Sequence, residues 1–144
     1  MHPIEVLMVE DNLGDVVLFR EALIKAGVNY QINVAKDGVD ALEYLRGLGK
    51  YTHPTRPDLI LLDLKLPRKN GREVMDDLRL DSDLNTILLI VLSSSRSELA
   101  LAHLQNLPEQ NYIVKPSTFA GYVALVKQIE TIRLNDNTRE GRLP

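Results

Sequence analysis

Residues 59–67 read LILLDLKLP and contain the most convincing buried strand of the sequence. The apolar run Leu59–Leu62 ends abruptly at an acid, Asp63. A short apolar run bounded by polar and turn residues is typical of a strand covered on both faces, although periodicity alone does not exclude a helix. Pro67 then indicates a turn. We therefore predict a strand over 59–62 that delivers a carboxylate at its end.

Similar short apolar runs occur at four other places and predict further strands over 5–9, 31–35, 87–92 and 112–114. The stretches between them carry apolar residues at helical spacing. They predict helices over 15–26, 39–48, 72–80, 97–107 and about 117–133. The predicted end signals are a glycine after each of the first two helices and a capping serine before each of the last two: Gly27, Gly49, Ser97 and Ser117.

Five strands that alternate with amphipathic helices predict an α/β protein with a doubly wound, five-stranded parallel sheet covered on both faces. The chain has 144 residues, of which 44% are hydrophobic, so one domain with a sizeable core is expected. There is no internal repeat. We expect one domain over 1–144, with a core of about 4–133 and a polar tail at 134–144.

Composition excludes several classes of protein. The 17 Lys and Arg against 20 Asp and Glu give a net charge of −3, which disfavours a basic nucleic-acid binder and a strongly charged disordered chain. The absence of Cys excludes disulfides, zinc–thiolate sites and a thiol nucleophile. The longest apolar run, 87–92, is far shorter than the roughly 18 residues that a membrane span needs. No secretory signal precedes the first strand, so a cytoplasmic protein is expected.

Polar side chains follow four of the five predicted strands. In open α/β sheets, ligands bind beyond the carboxyl ends of the strands. The residues at those ends are Glu10, Asp11, Asp63, Ser93 and Lys115. Three neighbouring carboxylates repel one another, so a hard divalent cation such as Mg²⁺ is expected among them. A lysine and a hydroxyl remain for an anionic group, and the whole set points to phosphoryl transfer with a carboxylate as one option for the nucleophile.

Four short motifs carry a family resemblance: 9–12 (VEDN), 61–67 (LLDLKLP), 92–93 (LS) and 115–116 (KP). In this order, and each at a predicted strand end, they resemble the signature of two-component response-regulator receiver domains over roughly residues 4–133. The resemblance implies a flavodoxin-like (βα)5 fold and a phosphorylation switch that is not a metabolic enzyme. It also implies that the chain promotes its own aspartyl phosphorylation and dephosphorylation.

The resemblance also implies a role for each matching residue. Asp63 would be the phosphoacceptor, with Mg²⁺ as the cofactor, for which Mn²⁺ can substitute. The implied metal ligands are Asp11, Glu10 through water, Asp63 and the backbone carbonyl of Lys65. The implied residues that bind the phosphoryl group or act in the switch are Ser93, Lys115 and the aromatic Tyr112. Lys65 and Ser95, each two residues beyond a site residue, would tune the lifetime of the phosphoryl group.

Within receivers, the chain is similar to the single-domain regulators paired with cyanobacterial and bacterial phytochromes. The matching features are Asp15, Asp37-Gly38, the loop 49–57, and the segments 56–63 and 71–74. Two positions depart from that pattern: Lys65 stands where Asn is common, and Ile132-Arg133 where an aromatic pair is expected. The likeness implies a phytochrome-type histidine kinase as the donor. No output domain is expected, so the output would go through protein partners, a phosphorelay or competition for the kinase.

The implied partner surface is the face of the fourth and fifth strands and their helices, where homodimerisation is common in the family. Candidate residues on it are Val91, Leu99, Leu107, Ile113, Tyr122 and Val126. Such a pair would be isologous. Direct binding of nucleic acid or membrane is not expected.

Other interpretations remain open beside these. Asp15 is most simply an acid favoured by the dipole at a helix start, and Lys65 a solvated charge. A flavin-mononucleotide binder with the same sheet order would need a phosphate-cradling loop after the first strand, where Glu10 and Asp11 repel phosphate. A haloacid-dehalogenase-type phosphatase would need a second acid at position 65 as general acid–base, which Lys65 cannot supply. A degenerate receiver that acts only as an interaction module is the remaining alternative.

Overall fold

A computed structural model describes residues 2–51, 54–102 and 107–136; for residues 101 and 102 it describes the backbone only. One sheet holds five parallel strands in the order β2-β1-β3-β4-β5. The strands are β1 (Ile4–Val9), β2 (Tyr30–Ala35), β3 (Leu59–Asp63), β4 (Leu88–Ser93) and β5 (Tyr112–Val114). The helices are α1 (Leu13–Ala26), α2 (Gly38–Arg46), α3 (Gly71–Arg79), α4 (Arg96–Ala102) and α5 (Phe119–Asn135). The predicted doubly wound α/β fold is confirmed.

The sheet separates two apolar layers. One layer packs α1 and α5 against it through residues such as Phe19 and Ile129. The other packs α2, α3 and α4 against it through residues such as Met75. Every residue of β3 and β4 is buried, as expected for central strands of a parallel sheet with helices on both faces.

The register aligns the carboxyl ends of the inner strands. Val9 pairs with Leu62, Asp63 with Leu92, and Ser93 with Val114. The residues that follow these strands therefore lie at one edge of the sheet. This alignment positions the candidate site.

Several helix ends differ from the predictions. Helix α1 ends at Gly27 as predicted, but α2 ends at Gly47, which has a left-handed φ of 66°, and not at Gly49. Thr118, not Ser117, caps α5, because its side chain accepts the N–H of Gly121 at 3.0 Å. Helix α4 begins at Arg96, before the predicted cap Ser97. In each case two nearby residues of the same chemical kind could serve, and residue type alone does not decide between them.

The end of the last helix also differs from the prediction. Helix α5 continues to Asn135, so the first two residues of the predicted tail are helical. Residues 137–144 lie outside the described residues, as do 103–106 of the predicted fourth helix and 52–53 of the predicted loop. Among the described residues, no helix combines the length and apolar character needed to cross a bilayer.

The predicted partner surface is wrong in its residues. All six candidates are core residues, with exposures between 0% and 8%: Val91, Leu99, Leu107, Ile113, Tyr122 and Val126. Apolar residues of a sheet covered on both faces do not reveal which of them reach the surface. On β5 and α5, the large apolar side chains that do reach it near the candidate site are Val114 and Phe119.

Candidate functional site

Three carboxylates converge where β1 and β3 end. Glu10 and Asp63 are buried, whereas Asp11 is exposed. One carboxylate oxygen from each of the three residues lies within 4.8 Å of the other two. Oxygen donors at this spacing, with one open side toward water, fit a hard divalent cation that keeps part of its hydration shell. The site predicted from the strand ends is thus assembled by the fold.

Lys115 brings a positive charge to this cluster. Its Nζ lies 2.6 Å from Glu10 Oε1, 2.8 Å from Asp63 Oδ2 and 2.9 Å from Asp15 Oδ2. The lysine is placed by the sheet, because its backbone N–H donates to the Ser93 carbonyl at 2.9 Å and extends the pairing of β5 with β4. One ammonium therefore serves three carboxylates in a largely buried setting.

The charges of the cluster shift two pKa values. Burial raises the pKa of Glu10 to about 7, and the nearby Asp63 carboxylate acts in the same direction against the opposing effect of Lys115. Burial would lower the pKa of Lys115, but hydrogen bonds to Asp63, Glu10 and Asp15 raise it above its usual value. The ammonium is therefore firmly charged, while Glu10 binds its proton unusually tightly unless more positive charge arrives.

The loop after β3 holds the second oxygen of Asp63. Asp63 Oδ1 accepts the backbone N–H of Lys65 at 3.1 Å, while the Lys65 side chain extends into solvent and its Nζ lies 4.0 Å from Glu98 Oε1. Gly71 closes this loop by donating to the Leu64 carbonyl at 3.0 Å. A Cβ on Gly71 would lie 2.6 Å from the Asp63 carbonyl oxygen, so only glycine fits this approach.

Ser93 and Ser95 form a short hydrogen-bonded chain after β4. Ser93 is fully buried, and its Oγ accepts the Ser95 N–H at 3.0 Å. Ser95 Oγ accepts the Glu98 N–H at 3.3 Å, which caps the start of α4. Ser93 lies one residue beyond Leu92, the register partner of Asp63, so its hydroxyl belongs to the same edge of the sheet.

Tyr112 lies at the start of β5 and is half-buried against the layer that contains α2, α3 and α4. Its hydroxyl accepts the backbone N–H of Leu107 at 3.1 Å. Burial raises the pKa of Tyr112, so the phenol stays protonated. The ring therefore ties the residues before β5 to the sheet.

Asp15 is a site residue whose contact with Lys115 the sequence reasoning did not foresee. It lies in the first turn of α1 as expected, where its N–H donates to the capping side chain of Asn12 at 3.1 Å. Its carboxylate also reaches Lys115. The usable signal was its place in the first turn of α1, because side chains on a helix tilt toward its N-terminus and hence toward the end of β1.

A second feature outside the predicted site is an ion pair that joins two loops. Asp37 is buried at the cap of α2, and the guanidinium of Arg68 donates to both its oxygens, at 2.7 and 3.0 Å. Gly38 donates its N–H to the Lys69 carbonyl at 3.1 Å. The loop that follows Asp63 is thus anchored to the end of β2. In the sequence, Asp37-Gly38 served only as a turn signal and as a feature of the family resemblance, and gave no sign of this ion pair.

Comparisons with known proteins agree with this geometry. A family model of the response regulator receiver domain matches residues 6–127. Response regulator Rcp1 of Synechocystis sp. is 33% identical over 136 residues, which cover 94% of this chain and 92% of Rcp1. The crystal structure of the phosphorylated cyanobacterial phytochrome response regulator RcpA has a TM-score of 0.80 at 36% identity and covers 96% of this chain and 98% of RcpA.

A third comparison concerns metal binding. The Mn²⁺-bound form of Rcp1 has a TM-score of 0.77 at 30% identity, with 99% of both chains covered. The resemblance read from four strand-end motifs is therefore confirmed at the level of the family and the fold. The chain belongs to the response regulator receiver domain family.

Proposed function

We propose that this chain is the phosphoacceptor response regulator of a two-component system, with residues 1–144 as a single receiver domain. In this proposal Asp63 accepts a phosphoryl group from the phosphohistidine of a sensor kinase. The observation that carries the proposal is the setting of Asp63, a buried carboxylate with two acids and a lysine ammonium around it. Three carboxylates and an ammonium in one cluster are suited to binding a phosphoryl group and neutralising its charge.

The proposed cofactor is Mg²⁺, for which Mn²⁺ can substitute. Asp11 and Asp63 would hold it directly, Glu10 through water, and the backbone carbonyl of Lys65 would complete the protein ligands. The bound cation would supply positive charge against the phosphoryl oxygens. The acid cluster supports this assignment, and so does the likeness to Rcp1, which binds Mn²⁺ in a structure of its own.

The proposed reaction needs little from the protein beyond position and charge. An Asp63 carboxylate oxygen attacks phosphorus, the P–O bond forms, and the P–N bond to the histidine breaks with its electron pair left on the imidazole. Lys115 stays beside the acceptor throughout and neutralises the added charge. In dephosphorylation, water attacks the same phosphorus, the bond between phosphorus and the Asp63 oxygen breaks, and inorganic phosphate and the free Asp63 carboxylate are the products. The exposed Lys65 and nearby Ser95 are proposed to tune the rate of this step.

The proposed switch starts at Ser93 and Lys115, which would bond the phosphoryl oxygens. Ser93 now accepts from Ser95, which caps α4, so a movement of its hydroxyl alters the start of that helix. Tyr112, hydrogen-bonded to Leu107, would change its position with α4 and β5. This is a two-state element biased by a local charge event.

The proposed donor is a phytochrome-type histidine kinase, since RcpA is a phytochrome response regulator and resembles this chain over nearly its whole length. The proposed output is a homodimer or a partner protein on the face of β4, β5 and α5. Val114 and Phe119, exposed by 38% and 42%, supply apolar surface there in place of the six residues first considered. A receiver that serves only as an interaction module is the alternative.

The deciding experiment is intact-mass analysis after incubation with acetyl phosphate, with and without Mg²⁺. We expect one added phosphoryl group that needs both Mg²⁺ and Asp63 and is absent in Asp63→Asn. The matched control is Asp83→Asn, which removes an exposed acid far from the cluster and should label normally. A phosphorylated phytochrome-type kinase serves as the second donor. Failure with both donors would favour the interaction module, whereas normal labelling of Asp63→Asn would overturn the assignment of Asp63 as the phosphoacceptor.

A further inference from the structure

Lys115 forms ion pairs with acidic residues inside and outside the candidate metal cluster. Glu10 and Asp63 belong to the cluster whose oxygens lie within 4.8 Å of one another. Asp15 contacts the same ammonium at 2.9 Å but is not a member of that cluster. Among the three ion pairs that Lys115 makes with described residues, only the one to Asp15 is therefore independent of the candidate metal ligands.

This difference matters once a divalent cation binds. The cation attracts the oxygens of Glu10 and Asp63 and repels the ammonium beside them. The side chain of Lys115 is only 11% exposed, so water screens this repulsion poorly. The position of the ammonium then depends on its ion pair with a carboxylate that is not a ligand of the cation.

The surroundings of Asp15 hold its carboxylate in a position to pair with the ammonium. It projects from the first turn of α1, which Asn12 caps through the Asp15 N–H. The buried Tyr122 of α5 lies nearby, and its pKa is raised to about 12 by burial and then by the negative charge of Asp15. The carboxylate thus contacts the lysine and lies near a helix packed against α1.

We propose that Asp15 is a positioning residue that retains the Lys115 ammonium beside Asp63 while a divalent cation occupies the acid cluster. The inference rests on the proposed phosphoacceptor function. It has a measurable consequence: without Asp15, the ammonium must compete with the cation for Glu10 and Asp63. Mg²⁺ should then bind more weakly.

The test is calorimetric titration of the full chain with Mg²⁺ alone. We expect Asp15→Asn to weaken Mg²⁺ binding by about fivefold or more, and Asp15→Glu to restore most of the loss. The matched control is Asp77→Asn on α3, which removes a carboxylate of similar exposure from its ion pair with Lys69 and should change binding by less than about twofold. Far-ultraviolet circular dichroism checks that each variant is folded.

A Lys115→Met background separates positioning from the simple loss of a nearby charge. If Asp15 acts through the ammonium, Asp15→Asn should change Mg²⁺ affinity by less than about twofold in that background. An equal loss in both backgrounds would show a direct charge effect and overturn the proposal. Wild-type affinity in Asp15→Asn would overturn it too. If the wild type itself binds no Mg²⁺, the proposed function and this inference fail together. That outcome is distinct from the two above, in which the wild type does bind Mg²⁺.

Discussion

Lys115 Nζ lies 2.8 Å from Asp63 Oδ2, although 52 residues separate the two in the chain. They meet because β3 and β5 flank β4 and all three strands end at the same level. Both side chains are largely buried, at 11% and 6% exposure. Among the described residues, this ammonium is the counter-charge that pairs with the buried acids of the cluster, and the stability of the site depends on it.

Lys115→Met should lower the free energy of unfolding by about 3 kcal/mol in EDTA, because it leaves buried carboxylates without a counter-charge. Added Mg²⁺ should recover part of this loss by supplying positive charge to the same acids. Urea denaturation with and without Mg²⁺ measures both effects. Lys69→Met is the control, since its partner Asp77 is more exposed and the expected loss is below about 1 kcal/mol. Equal losses in the two variants would contradict the prediction.

Asp11→Asn should separate metal binding from folding. Asp11 is the exposed member of the acid cluster, so its replacement should leave the urea midpoint nearly unchanged. Mg²⁺ affinity should fall about tenfold or more, because one charged ligand is lost. Calorimetric titration of Asp11→Asn beside Asp83→Asn checks this. A midpoint that drops while affinity holds would mean that Asp11 is structural.

Gly38→Ala should destabilise the protein by about 2 kcal/mol or more. A Cβ there would lie 2.1 Å from the Lys69 carbonyl oxygen and 2.7 Å from Val74 Cγ2, so the loop after β3 must shift. Gly27→Ala is the matched variant, because nothing lies within 4 Å of its Cβ and only its φ of +69° resists the change, at about 1 kcal/mol. Thermal denaturation ranks the two, and the reverse order would refute the crowding at Gly38.

Asp37→Asn should make the free energy of unfolding less dependent on pH in the acidic range. Burial would raise the pKa of Asp37, but the hydrogen bonds from Arg68 and the Asp40 backbone lower it below its ordinary value. Stability from this carboxylate is present above its unfolded pKa of about 3.9 and is lost as pH falls through the lower folded pKa. The difference in urea midpoint between pH 7 and pH 3 should therefore shrink in the variant. An unchanged difference would mean that the ion pair with Arg68 does not contribute.

Tyr112→Phe should loosen the residues before β5. The substitution removes the hydroxyl that accepts the Leu107 N–H at 3.1 Å and keeps the ring. Hydrogen exchange of the Leu107 amide should become faster, since the amide loses its partner. Amides of β4 in the same sample provide the reference. If Leu107 exchanges at the wild-type rate, the hydroxyl does not hold this segment.

Much of the site could be predicted because it depends on strand ends. A parallel sheet brings the carboxyl ends of its strands to one edge, so placing Asp63 after one strand and Lys115 after another already implied that they meet. Helix ends were harder, since Gly47 and Gly49 are equally good stop signals on local chemistry. The partner surface failed for a related reason. Val91 and Val114 are both apolar strand residues, and only the position of the covering helices buries one and exposes the other.

By itself, the sequence determined the alternation of strands and helices, the parallel sheet, the family and the acids, hydroxyl and lysine at the strand ends. These depend on local periodicity and on motifs that follow the chain. The tertiary structure alone decided that Asp15 contacts Lys115, 100 residues away, and that Arg68 donates hydrogen bonds to Asp37. An acid in the first turn of a helix is satisfied equally well by the helix dipole, so its residue type does not identify its partner. That partner is selected by strand register and helix placement, which no local pattern records.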